Sequence, residues 1–154
     1  MAIGETTVTV VGNVSSELAR RTTSGGDDVL SFWLRSNERR FDKDEGRWCD
    51  GRQLSLKVTC WRRMAATVGA SLAKGDPVIV TGRLSTNRFE AEGQQRSIPE
   101  LEATAIGPNL SWCTASVRRF GRKGALPDGA ADARAAPVGA GTGPRAPHAV
   151  AGFG

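Results

Sequence analysis

Aromatic and cationic residues recur at alternating positions in three stretches of this 154-residue chain. In VLSFWLRSNERRF, residues 29–41, Trp33, Arg35, Asn37, Arg39 and Phe41 share one parity, and Leu30, Phe32 and Leu34 share the other. In QLSLKVTCW, residues 53–61, Ser55, Lys57, Thr59 and Trp61 alternate with Leu54, Leu56, Val58 and Cys60. In PVIVTGRLSTNRF, residues 77–89, Arg83, Ser85, Asn87 and Phe89 alternate with Val78, Val80 and Leu84. Successive side chains of a strand point to opposite faces, so each stretch pairs an apolar face with one that mixes rings and charge. That mixture suits one kind of ligand. A flat base stacks on a ring for about 1–3 kcal/mol with little regard to its identity, and a phosphate backbone attracts Lys and Arg. Such a face is expected to hold a single nucleic-acid strand with little sequence preference and an affinity that falls as salt rises. A blander role is open to two of the rings. Trp33, flanked by apolar residues, and Trp61 could fill a small apolar cluster or cover a helix, with their ring N–H groups satisfied.

The elements that must position these side chains can be read along the chain. TTVTVVGNV, residues 6–14, is a β-branched strand, and Gly12 marks a bulge or a close backbone approach within it. SGGDD is a turn before the second strand, 29–41. A charged loop over 42–52, DKDEGRWCDGR, contains Trp48 and leads into the third strand, 53–61. Met64, Val68 and Leu72 recur at helical spacing, with Lys74 in the last turn and Gly75 and Pro77 as the stop. The fourth strand, 77–89, turns near Glu92 and Gly93 into RSIPELEATAIG, 96–107, where Pro99 implies an edge or a bulge. Five strands with one helix between the third and fourth is the order of the OB-fold, an all-β, partly open barrel.

Composition excludes several alternatives. The formal net charge of +5 is unevenly placed. Residues 117–154 hold Arg118, Arg119, Arg122, Lys123, Arg134 and Arg145 against Asp128 and Asp132, whereas residues 1–116 hold fifteen basic and fourteen acidic groups. The Gly, Ala and Pro content of 118–154 offers too little apolar surface to offset ordering entropy, so a disordered basic tail is expected after a folded domain over 1–117. Cys49, Cys60 and Cys113 lack any C-x-x-C spacing, and the one histidine, His148, lies in the tail. Reduced thiols, no zinc site and no cofactor are expected, with Cys60 in the core and Cys49 in the loop. No apolar run approaches the roughly 20 residues of a membrane span, and the N-terminus MAIGETTVTV shows no leader pattern, so a cytoplasmic location is expected.

VTVVGNV at 8–14, CWRRMAATVGASLAKGDPVIVTGRL at 60–84 and the aromatic hairpin that follows resemble the bacterial single-stranded DNA-binding protein family over residues 3–112. The resemblance implies an OB-fold domain, a homotetramer (or a dimer), and the coating of single-stranded DNA in replication, recombination and repair without catalysis. It places the family's stacking rings at Phe41, Trp61 and Phe89, and its basic positions at Lys57 and Lys74. A further stacking position corresponds to Ser55, and Ser85 and Asn87 stand where arginine is common, leaving Arg83 and Arg88 as the charges of that hairpin. The face is therefore expected to bind more weakly than that of a main replicative member. Such members generally end in an acidic tip, whereas here HAVAGFG follows with no acid beyond Asp132. This departure implies a secondary paralogue without recruitment of other proteins through an acidic tip.

The expected contact set for single-stranded DNA is Trp33, Arg35, Arg39, Phe41, Trp48, Lys57, Trp61, Arg62, Lys74, Arg83, Arg88 and Phe89. Two other classes compete with it. One is a different OB-fold binder, such as a primosomal accessory or RNA-binding protein. The other is a magnesium-dependent enzyme using Asp42, Asp44 and Glu45 or Glu100 and Glu102, although these acids read better as a solvated loop and a salt-bridged edge.

Overall fold

The computed structural model describes residues 2–121. Strand β1 (Thr6–Val14), the short β2 (Ala19–Thr22), β3 (Asp28–Asp42) and β4 (Arg47–Trp61) precede the helix α1 (Arg63–Ser71), and β5 (Pro77–Ala91) and β6 (Gln94–Pro108) follow it. The strands hydrogen-bond in the order β1-β5-β6-β4-β3-β2, and β1 returns to β3 through Asn13–Arg35 and Val14–Leu34. That return closes five strands into an OB-fold barrel, with β2 as an added ribbon on the outside of β3. The compact unit formed by these elements spans Met1–Val117. The expected disordered tail over 118–154 lies, beyond residue 121, outside the described residues. Among the described residues, no helix is long and apolar enough to cross a membrane.

Closure needs two close backbone approaches, and glycine permits both. A side chain at Gly12 would collide with the Arg35 carbonyl where β1 meets β3, which is the close approach expected there. Gly82 faces the Glu102 carbonyl just as tightly, at a register shift where β6 carries the extra residue Thr104. The inward parity of every long strand then converges. Val14, Leu30, Phe32, Leu34, Leu56, Val58, Cys60, Val78, Val80 and Leu101 are all buried, and Ala65 and Val68 bring α1 into the same core. Truncating one of these residues, such as Leu34 to Ala, should cost about 2–5 kcal/mol of stability.

Three sequence expectations change. Beside the five barrel strands the sheet carries the short β2, which the sequence reading did not name, because Arg20, Arg21 and their neighbours are exposed throughout and show no apolar alternation to reveal them. The helix stops at Ser71 instead of running to Lys74. Leu72 is already extended, the Ala73 N–H donates to the Asp76 carboxylate at 2.7 Å, and Gly75 turns with φ 95° so that its N–H reaches the Val14 carbonyl at 2.8 Å. Finally, the charged loop over 42–52 is mostly strand. Only residues 43–46 form the turn, with the Asp42 carboxylate accepting from the backbone N–H groups of Asp44 and Glu45 at 2.9 and 3.2 Å.

Candidate nucleic-acid interface

Both long hairpins extend past the barrel. On β4 only Lys57, Val58 and Thr59 pair with β6, so the part of β4 nearer the turn has β3 as its one neighbour among the described residues. On β5, pairing with β1 ends at Leu84, beyond which, among the described residues, only β6 remains. The result is two hairpin arms, one at the tip of β3 and β4 and one at the tip of β5 and β6.

The first arm owes its surface to a bulge. Trp33 pairs with Lys57, Arg35 with Ser55 and Asn37 with Gln53, whereas Arg39 pairs with Asp50 and Phe41 with Trp48. One extra residue has thus entered β4 between Asp50 and Gln53, in the segment Gly51–Arg52. Simple alternation would put Trp48 on the side away from Lys57. The extra residue reverses the parity, so Trp48 joins the face that carries Phe41, Arg39, Arg35, Trp33 and Lys57. Phe41 and Trp48 meet edge to face, with centroids 5.5 Å apart and ring planes at 68°. Their relative exposures of 45 % and 61 %, and the 37 % of Trp33, leave ring surface open to a ligand. Leu54, on the apolar parity, is exposed because it lies opposite Ser36, where the hairpin leaves the barrel.

The face is not continuous along β4. Thr59, assigned to the outer face by alternation, is buried, and its hydroxyl donates to Glu100 at 2.7 Å. It stands between Lys57 and Trp61. Trp61 is half-buried at the strand end, opposite Val29. Arg62 follows with φ 56°, its N–H donating to the Asp28 carbonyl and its guanidinium paired with Asp27 at 3.2 Å. Lys74 is exposed in the turn after α1.

On the second arm Phe89 is 41 % exposed, on the face expected from alternation. The cations are arranged differently from the sequence reading. Arg83 is half-buried and bridges Glu5 at 2.7 Å and Glu102 at 2.9 Å, and these two carboxylates raise its already high pKa further. Arg83 thus braces β5 against the chain's start and β6. Arg88 pairs with Ser97, which places it on the opposite side of the arm from Phe89. Phe89 itself pairs with Arg96, a residue the alternation of single strands does not single out. The signal was nonetheless in the sequence: a two-residue Glu92-Gly93 turn fixes which residues face one another, and both turn residues have positive φ, 52° and 76°.

Several of the acids considered for a metal have partners within the chain. Glu100 accepts from Thr59, Glu102 pairs with Arg83, and Glu45 pairs with Arg47. Asp42, Glu45 and Cys49 lie together at the first turn, where Asp42 is used by the turn's backbone. Cys49 is half-buried in β4 rather than in a loop, and burial pushes the Cys60 thiol up to about 12, so it stays protonated and unreactive.

Comparison with known proteins agrees with this geometry. Residues 5–108 match the model of the "Single-strand binding protein family". The single-stranded DNA-binding protein of Mycolicibacterium smegmatis is 43 % identical over 122 residues, which cover 79 % of this chain and 74 % of that protein. That of Corynebacterium glutamicum is 44 % identical over 125 residues, covering 80 % and 56 % respectively. Among solved structures, the small single-stranded DNA-binding protein from Streptomyces coelicolor superposes with a TM-score of 0.64 at 34 % identity, covering 71 % of this chain and 98 % of that one. The second single-stranded DNA-binding protein from Mycolicibacterium (Mycobacterium) smegmatis gives 0.60 at 38 % identity, covering 75 % and 99 %. With a family model spanning most of the barrel and relatives at this level of identity, the chain belongs to the single-strand binding protein family.

Proposed function

We propose that this protein binds single-stranded DNA with little sequence preference, stacking bases on Phe41, Trp48, Trp33 and Phe89 while Arg35, Arg39 and Lys57 attract the phosphates. The observation that carries this reading is the bulged first arm. Together with the adjoining barrel surface it presents three exposed rings and three cations on one face, and none of these cations forms an ion pair among the described residues. Trp61, Arg62 and Lys74 extend the path along the barrel, and Arg88 contributes at most from the far side of the second arm. The family is one of nucleic-acid-binding proteins, and Glu100 and Glu102 are held by Thr59 and Arg83. Equal-length oligomers of single-stranded DNA, duplex DNA and RNA, compared by fluorescence anisotropy, test the claim. Single-stranded DNA should bind tightest, and preference for RNA would favour the RNA-binding alternative.

An accessory role fits best, in the cytoplasm with the nucleoid DNA. The second arm offers Ser85 and Asn87 where charge would help, and the solved relatives include a small and a second single-stranded DNA-binding protein. We further infer assembly into a homotetramer. Among the described residues, the edge of β1 from Thr6 to Gly12 has no strand beside it opposite β5, and Val11 and Ile79 pair on the outer face with 47 % and 42 % exposure. An open edge beside an apolar patch favours a second copy. Sedimentation of Val11→Asp with Ile79→Asp should show smaller species than the unaltered chain. An unchanged assembly would place the interface elsewhere.

A further inference from the structure

We propose that Arg96 is the phosphate-binding partner of Phe89 and the principal DNA-contacting cation of the second arm, a reading that rests on single-stranded DNA binding as argued above. The arm's ring-bearing face can be followed pair by pair from the barrel outward. Arg83 stands opposite Glu102, Ser85 opposite Glu100, Asn87 opposite Ile98, Phe89 opposite Arg96 and Ala91 opposite Gln94. Of the two arginines on this face, Arg83 is held by Glu5 and Glu102. Arg96 is exposed and forms no ion pair among the described residues. Ser85 and Asn87 carry no charge. Arg96 therefore supplies the one uncompensated positive charge on the same face as the arm's ring.

Geometry makes the pairing useful. Directly opposed residues of an antiparallel pair hold their Cβ atoms about 4.5–5.5 Å apart, so a guanidinium on Arg96 can reach the phosphate next to a base stacked on Phe89. The Glu92-Gly93 turn fixes this register, because both residues adopt the left-handed conformation that a tight two-residue hairpin requires. Arg88 lies next to Phe89 in sequence, yet the strand's alternation carries it to the face of Thr86 and Glu90, away from the ring. Position across the sheet, rather than charge content, thus decides which arginine serves the DNA.

The decisive variant moves the charge without removing it: Arg96→Ser combined with Ser97→Arg in the full chain. Both positions are exposed, so the fold should survive, and thermal unfolding checks that it does. The probe is a fluorescently labelled oligo-dT titrated at several salt concentrations. The swap should lower the slope of log affinity against log salt by about 0.7 per site, and weaken binding roughly tenfold. Arg96→Gln, which keeps the side chain's length, should do the same, whereas Arg88→Gln should have a smaller effect. Failure of the unaltered protein to bind would overturn the single-strand reading and this assignment with it. Normal binding by the unaltered protein and by the swap would overturn the assignment of Arg96 alone.

Discussion

The two hairpin arms solve one problem with unequal means. The first holds Phe41 and Trp48 in mutual contact, with Trp33, Arg35, Arg39 and Lys57 continuing the same face toward the barrel. The second holds Phe89 with Arg96, and its remaining arginine on that face is bound by two carboxylates. Residues 37–53 carry Arg39, Arg40, Lys43, Arg47 and Arg52 against Glu38, Asp42, Asp44, Glu45 and Asp50, and residues 85–98 carry Arg88 and Arg96 against Glu90 and Glu92. Both arms are thus neutral in sum. What separates them is the sorting of side chains onto faces and the number of rings, so net charge is a poor guide to which arm holds DNA more strongly.

The comparison breaks most visibly if the first arm loses its ring pair. Replacing Phe41 and Trp48 together with Ala should weaken binding to oligo-dT by about 2–4 kcal/mol, with some loss of additivity because the rings touch. Equilibrium titration at fixed salt measures it, and a loss below tenfold would deny the first arm its dominant role. Replacing Phe89 with Ala should cost about 1–2 kcal/mol, less than the ring pair of the first arm. Arg83→Gln should change DNA affinity and its salt slope least, because its charge is already neutralised by Glu5 and Glu102. A drop in salt slope as large as that for Arg96→Gln would show that Arg83 also meets phosphate.

The barrel was legible because its signals are local and strong. Alternation in residues 29–41 and 77–89 identified the buried Leu30, Phe32, Leu34, Val78 and Val80, and Gly12 announced the crossing of β1 and β3. The interface was legible residue by residue but not pair by pair. Alternation within one strand names a face, whereas the partner across the sheet depends on turns and bulges elsewhere. A single extra residue at Gly51–Arg52 relocates Trp48, and a two-residue turn makes Arg96 the neighbour of Phe89 in place of Arg88. Thr59 escaped for a different reason, since its burial follows from a bond to Glu100, forty-one residues away. The short β2 left no trace because it buries nothing.

The central claim is that bases stack on the exposed rings of the first arm, and intrinsic fluorescence tests it most directly. The full chain and its Trp48→Phe variant would each be titrated with oligo-dT at several salt concentrations while tryptophan emission is followed. The expected result is strong quenching at low salt, a midpoint that rises with salt, and loss of a substantial share of the quenching in the variant. No quenching of the unaltered protein at low salt, or quenching unaffected by Trp48→Phe, would contradict it.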